Sequence, residues 1–435
     1  MQFIKIGIIG YGTVGHGLVK ILKDKKDLIR KNSGLNIEIL GLADRSIGKK
    51  RDIYTEDIEL TTNNPREVIE NPNIDIVVEL IGGIEDAKDI VLNALRKNKH
   101  IVTANKALLA TYGSEIFELA DNMNLLVGFE ASVGGGIPII RVLKEDMCIN
   151  DIRQIYAILN GTSNYILTKM ELEAKEFSDA LSDAQKEGYA ESDPTYDIEG
   201  VDAAQKITLL GSIAFNRLLN IDNVYVEGIS KVRKIDIDLA NELGGKIKLL
   251  AIAKSMNGSI DIRVHPTIIP KRYFLADVTD VYNAVYVRTS KVDRTMHYGK
   301  GAGAMPTGNA VASDIISIGK DIVSSSSKRV PIIGYKNDYI NNINIIDINE
   351  VESIYYLRFT VLDEPNVLSK ITGILGKNKI SIVSAIQRGE WLKNGIIPLV
   401  LITHKTKGKN VFDAVKEIDN KDFVKDKTLL MRIEK

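Results

Sequence analysis

The segment EGYAESDPTYDIEGVDAAQK, residues 187–206, crowds Glu187, Glu191, Asp193, Asp197, Glu199 and Asp202 around a single lysine, Lys206. A second lone lysine, Lys106, stands in TANKALLA. Carboxylates bind an amino group, and a lysine among them can hold or move a proton, so the pattern suits a site that reads an ammonium and titrates beside it. Asp202 and Lys206 are four residues apart on a predicted helix and share one face. An exposed pair of that kind is the commoner case and is worth only ~0.3–0.5 kcal/mol. Here the surrounding helix, VDAAQKITLLGSIAF, is largely apolar, which predicts burial. Burial drives a lysine toward neutrality and makes it a usable acid or base.

The chain opens with a strand, residues 3–9, followed by GYGTVG and a helix through HGLVKILKDKK. Gly10, Gly12 and Gly15 have the G-x-G-x-x-G spacing. Gly10 permits the tight turn, Gly12 lets the backbone approach a pyrophosphate, and Gly15 lets the helix pack on the sheet. Thr13 and Val14, at the helix start, then face the phosphates of a bound dinucleotide. The second strand ends at Asp44-Arg45. Aspartate there accepts from a ribose hydroxyl and favours NAD, whereas arginine pairs with a 2′-phosphate and favours NADP. Lys49, Lys50 and Arg51 follow, which tips the reading slightly to NADP. Lys106 falls just past the carboxyl end of a predicted strand, the edge where ligands of open α/β sheets collect, and can hold an oxyanion or a carboxylate there.

Alternating strands and helices position these residues. Strands fit 37–44, 74–80, 100–105 and 125–131, and helices fit 86–98 and 114–123. This alternation predicts a parallel, doubly wound sheet over residues 1–132. Residues 133–325 read as an α+β domain with a mixed sheet, to which the resemblance given below assigns the substrate and dimerisation. It has a strand in 151–161, helices over 163–185 and 201–215, and strands at 261–265 and 282–288. Its last helix, 306–320, is expected to pack back on the first domain. Residues 326–352, polar and Asn-rich, read as a linker. Residues 353–435 run β-α-β-β-α-β, the ferredoxin-like order.

The 435 residues carry 57 Lys+Arg against 57 Asp+Glu, which removes any electrostatic case for nucleic acid or an anionic membrane as partner. The one cysteine, Cys148, excludes an intrachain disulfide and a cysteine metal cluster. The start MQFIKIGIIG lacks a secretory leader pattern and no run approaches a membrane span, so the expected location is cytoplasmic.

GYGTVG, TANKALLA, FEASVGGGIPII, LNGTSNYILTKM, EGYAESDPTYDIEGVDAAQK and GAGAMPTGNAV together resemble homoserine dehydrogenase, in order and in spacing. The tail RFTVLDEPNVLSKITGILGKNKISIVSAI resembles an ACT regulatory domain, as in the longer members of that family. The resemblance implies reversible NAD(P)H-dependent reduction of aspartate 4-semialdehyde to L-homoserine. It makes Lys206 the proton donor to the carbonyl oxygen and places Lys106 near both nicotinamide and substrate. It makes Glu191 and Asp202 binders of homoserine, with Asp197, Gly161, Thr162 and Tyr189 in support, and lays Gly188 and Gly303 against the cofactor. Glu130 and the carbonyls of Val133, Gly135 and Ile137 match the family's monovalent cation site, usually sodium. It further implies a homo-oligomer, dimer or tetramer, and an amino-acid effector such as L-threonine at the ACT domain. Two rivals stand beside it. Aspartate-semialdehyde dehydrogenase needs a nucleophilic thiol, and Cys148 has no activating neighbour in sequence. A non-catalytic amino-acid sensor would have no use for intact Lys106, Asp202 and Lys206.

Overall fold

A computed structural model describes residues 2–50, 54–256, 258–326, 329–336, 343–391 and 393–434, without the side chains of Lys49 and Lys50. Arg51 of the basic run, and residues 327–328 and 337–342 of the segment read as a linker, lie outside the described residues. Chain contacts gather into two units that interleave along the sequence. The first comprises 1–161, 202–224 and 281–343, and the second 162–201, 225–280 and 344–435.

The first unit is built on six parallel strands: β1 (Gln2–Ile9), β2 (Leu35–Ala43), β3 (Leu60–Thr62), β4 (Ile76–Glu79), β5 (His100–Thr103) and β6 (Val127–Gly128). Their order is β3-β2-β1-β4-β5-β6, the doubly wound order that opens a crevice between β1 and β4. Ile4, Ile6, Ile8, Ile76, Val78 and Val102 fill the sheet interior with Leu18 and Val19 of the Thr13–Asp24 helix. The Ala304–Val323 helix adds Val311 and Ile315 to that core. It crosses the first helix at glycine: a β-carbon at Gly17 would lie 2.3 Å from the Ala304 carbonyl oxygen, and one at Gly308 2.8 Å from the Leu18 amide nitrogen. An antiparallel triplet, Ile152–Ile158, Tyr282–Thr289 and Arg294–Lys300, belongs to the same unit.

The second unit holds a mixed sheet. The Gly245–Met256/Ser259–Pro270 hairpin meets the Val424–Ile433 strand in parallel through Thr267 and Ile268. That strand pairs antiparallel with Glu352–Leu362, which continues to Ile396–Thr403 and Ile382–Ile386. With the helices Val367–Lys377 and Gly408–Ile418, residues from 352 on form the ACT fold, around a core of Tyr355, Phe359, Ile371, Leu401 and Val411.

Several elements differ from expectation, each for a local reason. The strand expected over 125–131 is only Val127–Gly128, because the Glu130 amide turns to donate to Asp314 Oδ2 at 2.8 Å. The helix expected at 114–123 starts at Lys106, where the Asn105 side chain caps the Leu108 amide. The long helix over 163–185 is two, Gly161–Leu172 and Phe177–Lys186, with Ala174 at φ +53° between them. The strand Gly245–Met256 has no apolar alternation to betray it, since residues 247–253 are all buried. Asn344–Ile345, within the segment read as a linker, pair with Ser259–Ile260. Among the described residues no helix is long and apolar enough to cross a membrane.

Candidate active site

At the end of β1 the chain turns through Gly10, at φ +108°, where a β-carbon would lie 2.5 Å from the Leu80 carbonyl carbon. At Gly15 it would lie 2.2 Å from the Gly10 carbonyl oxygen, so close helix–sheet packing requires glycine there too. Gly12 differs: nothing lies within 4 Å of its would-be β-carbon, and its peptide is approachable by a ligand. Thr13 and Val14 open the following helix, whose first amides carry its positive end. These features border a cleft of about 550 Å³ lined by Gly10, Gly12, Asp44, Arg45, Leu80, Ile81, Gly82 and Asp86.

The Asp44 carboxylate already serves the protein. Oδ2 accepts the Tyr11 amide at 2.8 Å, and Oδ1 accepts the Ser46 amide and hydroxyl at 2.8 and 2.9 Å. It thereby fastens the glycine turn to the end of β2. Arg45 is exposed and ion-paired with Asp86 at the mouth of the cleft. Arg66 and Asn63 line the same cleft. Neither was legible in sequence, because they follow the short strand β3 outside any motif.

The lysines come together. In the Val201–Ala214 helix every residue from Asp202 to Ile213 is buried. Lys206 Nζ donates to Asp202 Oδ2 and to the Leu159 carbonyl, both at 2.7 Å. Lys106, first residue of its helix and one-third exposed, brings its ammonium to 3.4 Å from Asp202 Oδ1. Asn160 Nδ2 donates to Asp202 Oδ2 at 2.9 Å, and Asn283 Nδ2 to the same Leu159 carbonyl at 2.9 Å. Burial alone would push the Asp202 carboxyl up. The charges of Lys206 and Lys106, with the hydrogen bonds from Lys206 and Asn160, outweigh it and hold the group below the usual carboxylate range. Two ammoniums on one carboxylate leave a net positive charge where water is scarce, an arrangement that stabilises negative charge developing on an oxygen. Asn160, Asn283 and the Leu159 carbonyl escaped sequence reading; a backbone acceptor has no residue signature.

In the second unit, Thr162 Oγ1 donates to the Tyr189 carbonyl at 2.6 Å and Ser163 Oγ to the Asp197 carbonyl at 2.8 Å. These bonds tie the acidic loop to the start of the helix that begins at Gly161. Tyr189 also packs its ring 5.0 Å from that of Tyr165. Gly188 takes φ +75°, and Glu191 is exposed. Gly303, at φ +123°, caps the Ala304–Val323 helix in the first unit.

Glu130 is buried, and its two carboxylate oxygens accept the Ile140 and Arg141 amides at 2.8 Å each. Burial raises its carboxyl. Asp314, which accepts the Glu130 amide, is pushed up to about 7 by burial and by the Glu130 charge. Val133 follows directly, and Gly134 and Gly135 take φ +71° and +50° before Ile137. At Gly135 a β-carbon would lie 2.6 Å from the Gly301 carbonyl oxygen. Among the described residues no three His, Cys, Asp or Glu side chains are grouped to hold a metal. Cys148 is exposed.

The doubly wound sheet, its glycine-bordered cleft and two lysines sharing the buried Asp202 carboxylate define a nicotinamide-dependent oxidoreductase that carries an ACT domain. Residues 10–130 match the family model described as homoserine dehydrogenase, NAD binding domain, residues 138–316 the model for homoserine dehydrogenase, and residues 355–420 the ACT domain. The chain is 42% identical to homoserine dehydrogenase of Neisseria gonorrhoeae, covering 100% of this chain and 99% of the relative, and 40% identical to that of Pseudomonas aeruginosa over the same shares. The crystal structure of a homoserine dehydrogenase from Thiobacillus denitrificans superposes with a TM-score of 0.92 at 41% identity, covering 100% and 99% of the two chains. A hyperthermophilic archaeal homoserine dehydrogenase in complex with NADPH matches 73% of this chain and 98% of its own, at 28% identity and a TM-score of 0.62. The chain belongs to the homoserine dehydrogenase family.

Proposed function

We propose that the chain catalyses reversible reduction of L-aspartate 4-semialdehyde to L-homoserine by NAD(P)H, a step toward threonine, methionine and isoleucine, in the cytoplasm. The observation that carries this reading is the Lys206–Asp202–Lys106 trio, in which Lys206 and Asp202 are buried and Lys106 is one-third exposed. A nicotinamide cofactor held at the Gly10–Gly15 turn would supply hydride for the aldehyde carbon. Negative charge then grows on the carbonyl oxygen, where Lys206 stabilises it and donates its proton. Asp202 and the Leu159 carbonyl hold that ammonium in one place, so little reorganisation is needed. Lys106 adds a second positive charge beside nicotinamide and substrate. Glu191 and Asp202 bind homoserine, Glu191 taking the substrate's ammonium, with Asp197, Thr162, Gly161 and Tyr189 in support.

Gly10, Gly12, Thr13, Val14, Gly15, Gly188 and Gly303 are the cofactor contacts of this reading. NADP is favoured over NAD because the Asp44 oxygens are taken by Tyr11 and Ser46, whereas Arg45 and Arg66 border the cleft as cations for a 2′-phosphate. Glu130 and the carbonyls of Val133, Gly135 and Ile137 are read as a sodium site. An all-oxygen set with one buried carboxylate suits a hard monovalent ion, and the paired left-handed glycines allow the turn such a cradle needs. The ion's role would be to hold that turn. The ACT domain is read as the seat of an amino-acid effector such as L-threonine, and the protein as a homodimer or tetramer.

The test is the rate of NADP+ and NAD+ reduction with L-homoserine at alkaline pH, for wild type and Lys206→Ala. Wild-type turnover that falls by ~10²–10⁴ in the variant is expected for loss of a general acid–base group. No homoserine-dependent turnover with either cofactor would refute the reading.

A further inference from the structure

One buried carboxylate has no part in the chemistry above. Glu79 ends β4 and is fully buried at the crevice where the strand order reverses. Its Oε1 accepts the amides of Ile81 at 2.9 Å and Gly82 at 3.4 Å, in the loop whose Leu80, Ile81 and Gly82 line the cofactor cleft. Its Oε2 accepts the Thr103 hydroxyl at 2.6 Å. The Thr103 oxygen in turn accepts the Asn105 amide at 3.0 Å, and Asn105 Nδ2 donates back to the Gly83 carbonyl at 2.7 Å. The bonds close into a ring: Glu79, the 81–83 loop, Asn105, Thr103, Glu79. Asn105 is also the cap of the helix that begins with Lys106.

The loop needs such pins. Gly82 and Gly83 take φ +71° and +72°, and neither would-be β-carbon meets an atom within 4 Å. Glycine there serves backbone conformation rather than packing, so consecutive left-handed glycines leave the loop little intrinsic preference for one shape. A carboxylate is the group for the task, because three donors converge on it and it accepts without donating. Burial raises the Glu79 carboxyl, and the bonds from Thr103, Ile81, Gly82 and Asn105 oppose that.

We propose that Glu79 is a positioning residue that locks the cofactor loop Ile81–Gly83 to the Asn105–Lys106 turn, so that dinucleotide binding and the placement of Lys106 depend on one side chain. The Lys106 half of this rests on the role given to that lysine above.

Glu79→Gln preserves shape but turns an amide group toward one set of donors. The measurements are the NADPH dissociation constant, kcat with L-homoserine at saturating cofactor, and hydrogen exchange at the Ile81 and Gly82 amides. All are made in the wild-type and Lys106→Ala backgrounds. Expected are binding weakened about 5-fold, faster exchange at both amides, and kcat about 10-fold lower where Lys106 is present but within about 2-fold where it is not. Thr103→Val, which cuts only the Lys106 side of the ring, should lower kcat while leaving NADPH binding unchanged. Equal kcat losses in both backgrounds, or unchanged NADPH binding and amide exchange, would overturn the proposal. Absence of homoserine turnover in wild type would instead defeat the functional reading, while NADPH binding and exchange would still report on the loop.

Discussion

Asp202 and Asp236 are both buried aspartates facing cations, yet their carboxyls move in opposite directions. Burial acts on each to raise it. At Asp202 two ammoniums, Lys206 and Lys106, overcome burial and hold the group down. At Asp236, in the second unit, one guanidinium, Arg358 at 2.8 Å, together with the Arg233 amide and the Tyr356 hydroxyl, leaves it above its ordinary value. The cations differ in kind as well. Arg358 joins the first ACT strand to the Lys234–Glu242 helix, donating also to the Lys231 carbonyl at 3.0 Å, and guanidinium does not release its proton. A lysine can. Arg358 thus meets a single acid with a cation that keeps its proton, whereas Asp202 is shared by two lysines, the cation type that can give one up.

The largest effect that would sharpen this contrast is on stability. Arg358→Met should cost about 3–5 kcal/mol in denaturant unfolding, because Asp236 is left buried without its cation. Homoserine turnover in the cold should persist. The double variant Arg358→Met/Asp236→Leu should regain much of the loss, since an apolar pair replaces a buried ion pair well. A double variant no more stable than the single one would mean that packing, not charge, holds that contact.

Lys206→Arg keeps the positive charge and removes the transferable proton. Its kcat should fall by ~10²-fold or more with cofactor affinity unchanged. Near-normal turnover would break the comparison, because charge alone would then suffice at the reacting oxygen.

The smallest effect is on acid stability. Asp202 titrates lower in the folded chain than its ordinary 3.8, so its contribution is fully present above about pH 4 and is lost as pH falls through the folded value. Asp236 titrates higher when folded, so its carboxyl favours folding at low pH and that contribution is lost as pH rises through the folded value. The stability difference between wild type and Asp202→Asn should therefore shrink on acidification, and that for Asp236→Asn should grow. Parallel trends for the two would contradict the opposed shifts.

Much of the fold could be read from local pattern. The β1–turn–helix unit announced itself because glycine at φ +108° and at two close packing points leaves no other residue a place. The ACT order was legible because its two helices, Val367–Lys377 and Gly408–Ile418, each bury one face at helical spacing and stand between strand-like runs. The strand Gly245–Met256 was not, since its residues 247–253 are buried on both faces, Lys248 among them, and leave no inside–outside alternation to detect. β6 was overestimated because a distant carboxylate, Asp314, ends it.

The site divides the same way. Lys106, Asp202 and Lys206 stood out as chemistry-bearing types in an apolar helix or at a strand end, and the i,i+4 spacing already placed two of them on one face. Sequence alone thus determined which groups were available and which neighbours they had within a turn of helix. Only the tertiary structure decided what each one touches. It spent the Asp44 oxygens on the glycine turn, brought Lys106 to Asp202 from a motif far away in the chain, and offered Lys206 the carbonyl of Leu159. It also closed the Glu79 ring between two strand ends. Contacts of that range are set by how packed elements meet, and no local propensity encodes them.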